Sequence, residues 1–239
     1  MREVLQMKLR EWQDFIPEFE FPEDSVHVDL GAGNQPRNPL RVPNLIATDI
    51  HVFEGTPYKT VLADLTRPLP FETNSIQSFS AFDVLEHIPR WERTKEGQVV
   101  FPFVALMSEI FRCLKPGGFF VALTPAVPSL IAFQDPTHVN FVTRETLNLY
   151  FSGDNPWAAS LGYGFKGSFE VLCNEWQEGN AILESTSETI AYRILSRPKE
   201  KARKFVRTHR WLLAVTRLFR GLELIDQPSH LLWVVKKPS

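Results

Sequence analysis

Cysteine is nearly missing from this chain. Its 239 residues include only Cys113 and Cys173. That is too few for a disulfide framework, and the spacing fits no zinc motif, so a reducing compartment is expected. No window approaches the roughly 18 uninterrupted apolar residues of a membrane-spanning helix. Met1 to Phe15 mixes charged and apolar residues. It lacks the apolar core of a secretory signal, and a cytoplasmic location is expected. The 12 glycines follow no period, which excludes collagen-like and low-complexity classes. No Gly-Lys-Ser/Thr run is present, so there is no phosphate-binding P-loop.

Net charge is also small, at −2, whereas 19 Phe, 6 Trp and a 44 % hydrophobic composition supply ample core material. A disordered chain has the opposite composition. The small net charge hides an asymmetry. Between Arg193 and Arg220 ten Lys and Arg face one acid, Glu200, so this stretch carries +9 and the rest −11. A segregated basic segment on an acidic body points to an anionic partner.

Apolar spacing gives the elements. Residues 2–16 read as a short amphipathic helix through Val4, Leu5, Leu9, Trp12 and Ile16, ended by Pro17. Strands are expected at 26–30, 45–50, 60–63, 76–84 and 119–123. A helix is expected at 102–114, where Pro102 suits the first turn and Lys115-Pro116-Gly117-Gly118 stops the element. Residues 144–151 read as a helix with Thr143 as a candidate N-cap. Residues 169–177 and 181–190 read as a hairpin, 198–221 as a helix and 231–236 as a last strand. Strands alternating with crossovers predict a mainly parallel α/β sheet with both faces covered.

The sharpest signal is Val26-His27-Val28-Asp29-Leu30-Gly31-Ala32-Gly33-Asn34. A strand delivers the chain to a glycine turn, where backbone can approach a ligand closely. Asp49 closes the next strand, at the distance where an acid reaches ribose hydroxyls. Pro36, Pro39 and Pro43 interrupt the segment after the turn, so no full helix is expected to present its N-terminus to a pyrophosphate. A ligand with ribose and adenine but no phosphate fits better than a dinucleotide.

These residues resemble the class I S-adenosylmethionine (SAM)-dependent methyltransferases, over about residues 24–150 and the last strand. Asp29-Leu30-Gly31-Ala32-Gly33 is similar to the family's first motif. Asp49, followed by Ile50, matches its ribose-binding acid. Asp64-Leu65 matches the pair that contacts adenine. Ala81-Phe82-Asp83-Val84-Leu85-Glu86-His87-Ile88 is similar to the motif lining cofactor and substrate, and Leu114-Lys115-Pro116-Gly117-Gly118 to the turn before the fifth strand. The resemblance implies SAM as cofactor, with Asp29, Gly31, Ala32, Gly33, Asp49, Ile50, Asp64, Leu65, Phe82 and Asp83 around it. It implies a doubly wound, mainly parallel seven-stranded sheet. Residues 1–23 would form an N-terminal helical segment. Residues 24–239 would form one domain with a basic helical insertion at about 193–224. The sequence departs from the family at Gln35, where a third glycine is usual, and in its short first and second crossovers.

Asp83, Glu86 and His87 follow the fourth strand, and Asp135-Pro136-Thr137-His138 follows the fifth. Sheet topology brings these segments side by side. Asp83, Glu86, His87 and His138 form a candidate site for a divalent cation, Mg²⁺ or Mn²⁺, that would polarise an acceptor hydroxyl. The set resembles that of metal-assisted methyltransferases of small RNA 3′ ends. Without metal, His138 is a candidate general base, with Asp83 and His87 beside it. A structural Asp-Pro-Thr-His turn is the third reading. Asn140, Thr143 and Arg144 are candidates for orienting substrate.

Two further segments have alternatives. The helix at 198–221 either packs its apolar face on the body, lies on an anionic membrane surface or contacts RNA phosphates. The aromatics Tyr150, Phe151, Trp157, Tyr163 and Phe165 form either a lid or a satellite core. The activity expected by resemblance is methyl transfer to a hydroxyl or amine of a small molecule, sugar or lipid-linked glycan. A metal-assisted RNA methyltransferase and a non-catalytic SAM-binding scaffold are the alternatives.

Overall fold

The computed structural model describes residues 20–51, 53, 55, 57–177 and 229–239. The expected helix at 2–16, strand at 181–190, basic helix at 198–221 and insertion at about 193–224 lie outside them. Seven strands make one sheet: β1 (Val26–Leu30), β2 (Asn44–Asp49), β3 (Lys59–Leu62), β4 (Ile76–Phe82), β7 (Leu114–Pro125), β8 (Glu170–Gln177) and β9 (His230–Lys236). A small separate ribbon, β5 (Glu92–Arg93) with β6 (Val99–Val100), follows β4. The sheet order is β3-β2-β1-β4-β7-β9-β8. Neighbours from β3 to β7 pair in parallel, and β9 runs antiparallel to both β7 and β8. Chain order reverses direction at β1, so the crevice beyond the ends of β1 and β4 is the topological switch point.

The main crossover helix is α1 (Pro102–Cys113), with Pro102 in its first turn. Phe103, Leu106, Met107 and Ile110 recur at helical spacing and are buried. They pack on Val28, Leu30, Phe79, Phe120 and Trp233 from one face of the sheet. The outer side of α1 holds the β3–β4 crossover. Glu109 accepts from the Leu69 N–H, and Arg112 donates to the Leu69 and Phe71 carbonyls.

The last strand caps this helix. Lys237 Nζ donates to the Phe111 and Leu114 carbonyls and to Asn74 Oδ1, at 2.7–2.9 Å. A cation at a helix C-terminus also meets the negative end of the helix dipole. Lys237→Met keeps the stem and removes all three donors. It is expected to cost about 2 kcal/mol, read as a lowered urea midpoint at unchanged m-value.

The two sheet faces differ in chemistry. On the second face Val121, Leu123, Leu232 and Val234 are apolar, packed with Leu40 and Val42. In β1 and β4 the same face carries His27, Asp29, Ser78 and Ser80, all buried. The proline-broken loop 34–43 explains this. It forms no helix, so its backbone groups need partners from elsewhere. His27 Nε2 lies 3.0 Å from the Arg37 carbonyl, and the Arg37 N–H donates to Asp29 Oδ2 at 2.8 Å. Ser80 Oγ donates to Asp29 Oδ1. That uses the serine proton, so His27 Nε2–H donates to Ser80 Oγ at 2.8 Å and Ser78 Oγ–H donates to His27 Nδ1 at 2.7 Å. Burial pushes His27 down to about 3, partly offset by the Arg37 carbonyl. It pushes Asp29 up to about 7 against the bonds from Ser80 and Arg37.

One expected boundary changes. α1 stops at Cys113 as expected, but the fifth strand begins at Leu114, before the Lys115–Gly118 turn. β7 runs through it, and the four residues bulge out as pairing jumps from Ile76↔Leu114 to Ser78↔Phe119. Strand 170–177 is present and pairs with β9; the hairpin partner expected at 181–190 lies outside the described residues. Of the lid candidates, Phe151 and Phe165 are buried in the main core and meet edge to face at 5.2 Å. Trp157 and Tyr163 remain exposed.

Candidate functional site

The crevice is shaped by two glycines with positive φ, Gly31 at 64° and Gly33 at 56°. At Gly31 a Cβ would stand 2.4 Å from Val84 Cγ2, so only a bare backbone fits between β1 and the end of β4. At Gly33 a Cβ would meet nothing within 4 Å. The loop is fixed from β2: the Ala32 N–H donates to the Thr48 carbonyl at 2.9 Å and the Gly33 N–H to Asp49 Oδ2 at 3.0 Å. Asp49 Oδ1 accepts from the His51 N–H. Each carboxylate oxygen accepts at more than one position, so Asp49 keeps capacity for a diol.

The other predicted cofactor residues divide into groups. Asp29 has both oxygens engaged by Ser80 and Arg37 and organises the loop from beneath. Phe82 is buried with the Arg37 guanidinium 4.8 Å over its ring, so it supports the same loop. Ile50 is 62 % exposed beyond β2. Asp64 folds back on Thr66, accepting from its N–H at 2.9 Å and Oγ at 2.7 Å. The Thr66 hydroxyl holds the Asp64 carboxyl below its usual range. Leu65 points into the core.

Asp83 ends β4 with φ 53°, an uncommon conformation for a residue with a side chain. Its Oδ1 lies 3.1 Å from His230 Nε2, and its side chain is 42 % exposed. A carboxylate only accepts, so Nε2 carries the proton, and Nδ1 faces Ser229 Oγ at 2.7 Å. Sequence reading missed His230. It precedes an apolar strand, and only the antiparallel pairing Pro125↔His230 brings it to the end of β4.

The four-residue cation set separates. Glu86, His87 and His138 come together, with one ligand atom of each within 4.8 Å of the others. Asp83 turns to His230 instead. Glu86 is 1 % exposed. Its Oε2 accepts from Thr124 Oγ1 at 3.0 Å, and its Oε1 lies 3.9 Å from His138 Nε2. Burial pushes the Glu86 carboxyl up to about 7, and the Asp83 charge adds to the rise. The Glu86 carbonyl accepts from the Val139 and Asn140 N–H groups, which docks the Asp135–Asn140 turn here.

Asn140 is buried, with Nδ2 on the Leu85 carbonyl and Oδ1 unpartnered. Thr143 does act as the N-cap of α3 (Arg144–Tyr150): its N–H donates to Thr146 Oγ1. Arg144 pairs with Glu175 at 3.1 Å. Cys113 and Cys173 are buried thiols, and burial pushes Cys113 up to about 11. Among the described residues no helix is long and apolar enough to cross a membrane.

No family model and no curated protein matches the sequence. Solved structures do match the fold. Phosphoethanolamine N-methyltransferase 2 from Haemonchus contortus, in complex with phosphomonomethylethanolamine and S-adenosylhomocysteine, superposes with a TM-score of 0.50 at 17 % identity, covering 96 % of this chain and 52 % of that one. A SAM-dependent methyltransferase from Archaeoglobus fulgidus gives 0.47 at 17 % identity, covering 89 % and 86 %. With the sheet order, the antiparallel β9 and the glycine loop at the switch point, the fold is that of the class I SAM-dependent methyltransferases.

Proposed function

We propose that this chain binds SAM beyond the ends of β1, β2 and β4 and transfers its methyl group to a hydroxyl or amine of a small-molecule or glycan acceptor. The observation that carries this reading is the joint placement of Gly31, Gly33 and Asp49. A bare backbone turn, open space over Gly33 and a carboxylate with spare capacity meet at the switch point. A dinucleotide fits less well, since no helix follows β1 to receive a pyrophosphate. Asp49 would hold the ribose hydroxyls, the turn would bound the amino-acid portion, and the Asp64-Leu65 turn after β3 would border the adenine.

When bound, SAM supplies an electrophilic methyl group, so the protein needs no nucleophile of its own. What remains is alignment, exclusion of water and removal of one proton from the acceptor. Asp83 suits the proton transfer best of the three candidates Asp83, His87 and His138. It lies on the switch-point side of β4, and His230 holds Oδ1, leaving Oδ2 for the acceptor. His230 is then a positioning residue.

Calorimetric titration of the purified chain with SAM and S-adenosylhomocysteine tests it. Micromolar binding is expected, weakened about a hundredfold or more in Asp49→Ala, the worth of charge-assisted hydrogen bonds to a diol. A folded chain, stripped of co-purified ligand, that takes up neither molecule overturns the reading.

A further inference from the structure

The proton positions around Glu86 single out a feature that methyl transfer does not require. The His138 imidazole has Nδ1 3.0 Å from the Ala132 carbonyl. A carbonyl only accepts, so Nδ1 carries a proton, and in the neutral imidazole Nε2 keeps a free lone pair. That Nε2 faces Glu86 Oε1 at 3.9 Å, with 8 % of the His138 side chain and 2 % of the Glu86 side chain exposed. His87 is fixed in the same way. Its Nδ1 lies 3.0 Å from Thr137 Oγ1 and 3.3 Å from the Thr137 carbonyl. The Thr137 hydroxyl spends its only proton on Asp135 Oδ1 at 2.7 Å. His87 Nδ1 therefore also carries a proton, and in the neutral imidazole its Nε2 is left bare.

Two imidazoles with bare Nε2 atoms thus stand beside a largely buried carboxylate. Their rings meet edge to face at 4.9 Å. Each histidine donates its other N–H to a carbonyl or a hydroxyl, and Glu86 is steadied by Thr124. Outer partners of this kind orient metal ligands and raise their basicity. Lone pairs facing a carboxylate repel each other unless a proton or a metal cation lies between them, and a metal cation can satisfy all three donors at once.

We propose that Glu86, His87 and His138 form a divalent transition-metal site with Zn²⁺-type preference, set beside the crevice and open to further ligands on its His87 side. Two nitrogens and one carboxylate oxygen are a known zinc donor set with a free position. Imidazole donors favour Zn²⁺ over Mg²⁺, which prefers all-oxygen ligands and keeps its waters. The Mg²⁺ or Mn²⁺ expected from the sequence is the competing ion. Asp83 is left out of the proposed set, since its Oδ1 faces His230. Tetrahedral ligands about 2.1 Å from zinc lie about 3.4 Å apart. One ligand atom of each residue lies within 4.8 Å of the others, so the set closes by up to about 1.4 Å on binding, which side-chain rotation supplies. The site does not depend on the SAM reading.

The test is titration of the chelator-treated full chain with Zn²⁺, by calorimetry and with Co²⁺ as a visible-absorbing probe. One Zn²⁺ per chain at micromolar or tighter affinity is expected, with Mg²⁺ in millimolar excess failing to compete. Glu86→Gln and His138→Ala should each weaken Zn²⁺ at least tenfold. Asp83→Asn, which removes a nearby charge but no proposed ligand, should weaken it less than Glu86→Gln does. Circular dichroism confirms that each variant is folded, and Glu86→Gln keeps the shape of the side chain should His138→Ala not fold. No Zn²⁺ uptake by the folded chain overturns the proposal. So does uptake that Glu86→Gln leaves unchanged, because the ion would then be bound elsewhere. A SAM titration of the same metal-free protein reports on the other reading separately.

Discussion

Gly31→Ala is expected to disable cofactor binding and to lower stability together. Gly31 sits at φ 64°, where an alanine costs about 1–2 kcal/mol. The added methyl would also stand 2.4 Å from Val84 Cγ2 and 2.9 Å from Val84 Cβ. Val84 is β-branched and stiff at χ1, so the loop must move instead, and overpacking of this kind costs about 1–3 kcal/mol. The sum is about 2–5 kcal/mol, visible as a lower melting temperature. Displacing the loop also pulls the Gly33 N–H from Asp49 Oδ2, 3.0 Å away. Loss of one or two such contacts weakens SAM about tenfold to a hundredfold. Gly31→Ala combined with Val84→Ala separates the causes. It removes the Cγ overlap but not the φ strain, so stability should recover in part. A Gly31→Ala protein with unaltered melting and SAM affinity would show that the loop does not form the cofactor site.

Much of this arrangement is legible in the sequence because local rules decide it. The period of Phe103, Leu106, Met107 and Ile110 and the position of Pro102 set α1. The glycine turn and Asp49 fall at strand ends that apolar spacing locates to within about two residues. Long-range pairing is what local rules do not supply. Strand 170–177 pairs with β9, a partner far along the chain that its own residues do not specify. Lys115-Pro116-Gly117-Gly118 reads as a stop, and α1 does end at Cys113, but pairing with β4 begins at Leu114 and absorbs the four residues as a bulge.

The candidate site shows the same division. Residue types and spacing find Asp83, Glu86, His87 and His138. They leave open which of these share a cluster, since that depends on where β9 delivers His230. Once His230 engages Asp83, the carboxylate nearest the crevice and the Glu86–His87–His138 cluster become separate devices. The first faces the crevice. The second is held by the Asp135–Asn140 turn, whose backbone docks on the Glu86 carbonyl. Proton transfer and cation binding therefore need not compete for the same side chains.

The buried polar face of β1 predicts opposed pH dependences. His27 is pushed down to about 3 from an unfolded value of 6.5. Its contribution is fully present above pH 6.5 and is lost as pH falls toward 3, because only the unfolded chain takes up the proton. Asp29 is pushed up to about 7 from 3.8. Its contribution is fully present below pH 3.8 and is lost as pH rises through 7. Between about pH 4 and 6.5 the two effects have opposite sign and nearly cancel. Each alone amounts to about 1.4 kcal/mol per pH unit. Asp29→Asn should leave the histidine effect exposed, so that stability climbs by about 3 kcal/mol from pH 4 to 6.5. His27→Gln should leave the aspartate effect, so that stability falls by a similar amount over the same range. Urea midpoints measured at several pH values for the two variants would show crossing slopes. Parallel profiles would mean that the two groups do not titrate against each other. The loop at 34–43 would then be held by neutral hydrogen bonds alone, and the polar face of β1 would serve only to satisfy the Arg37 backbone.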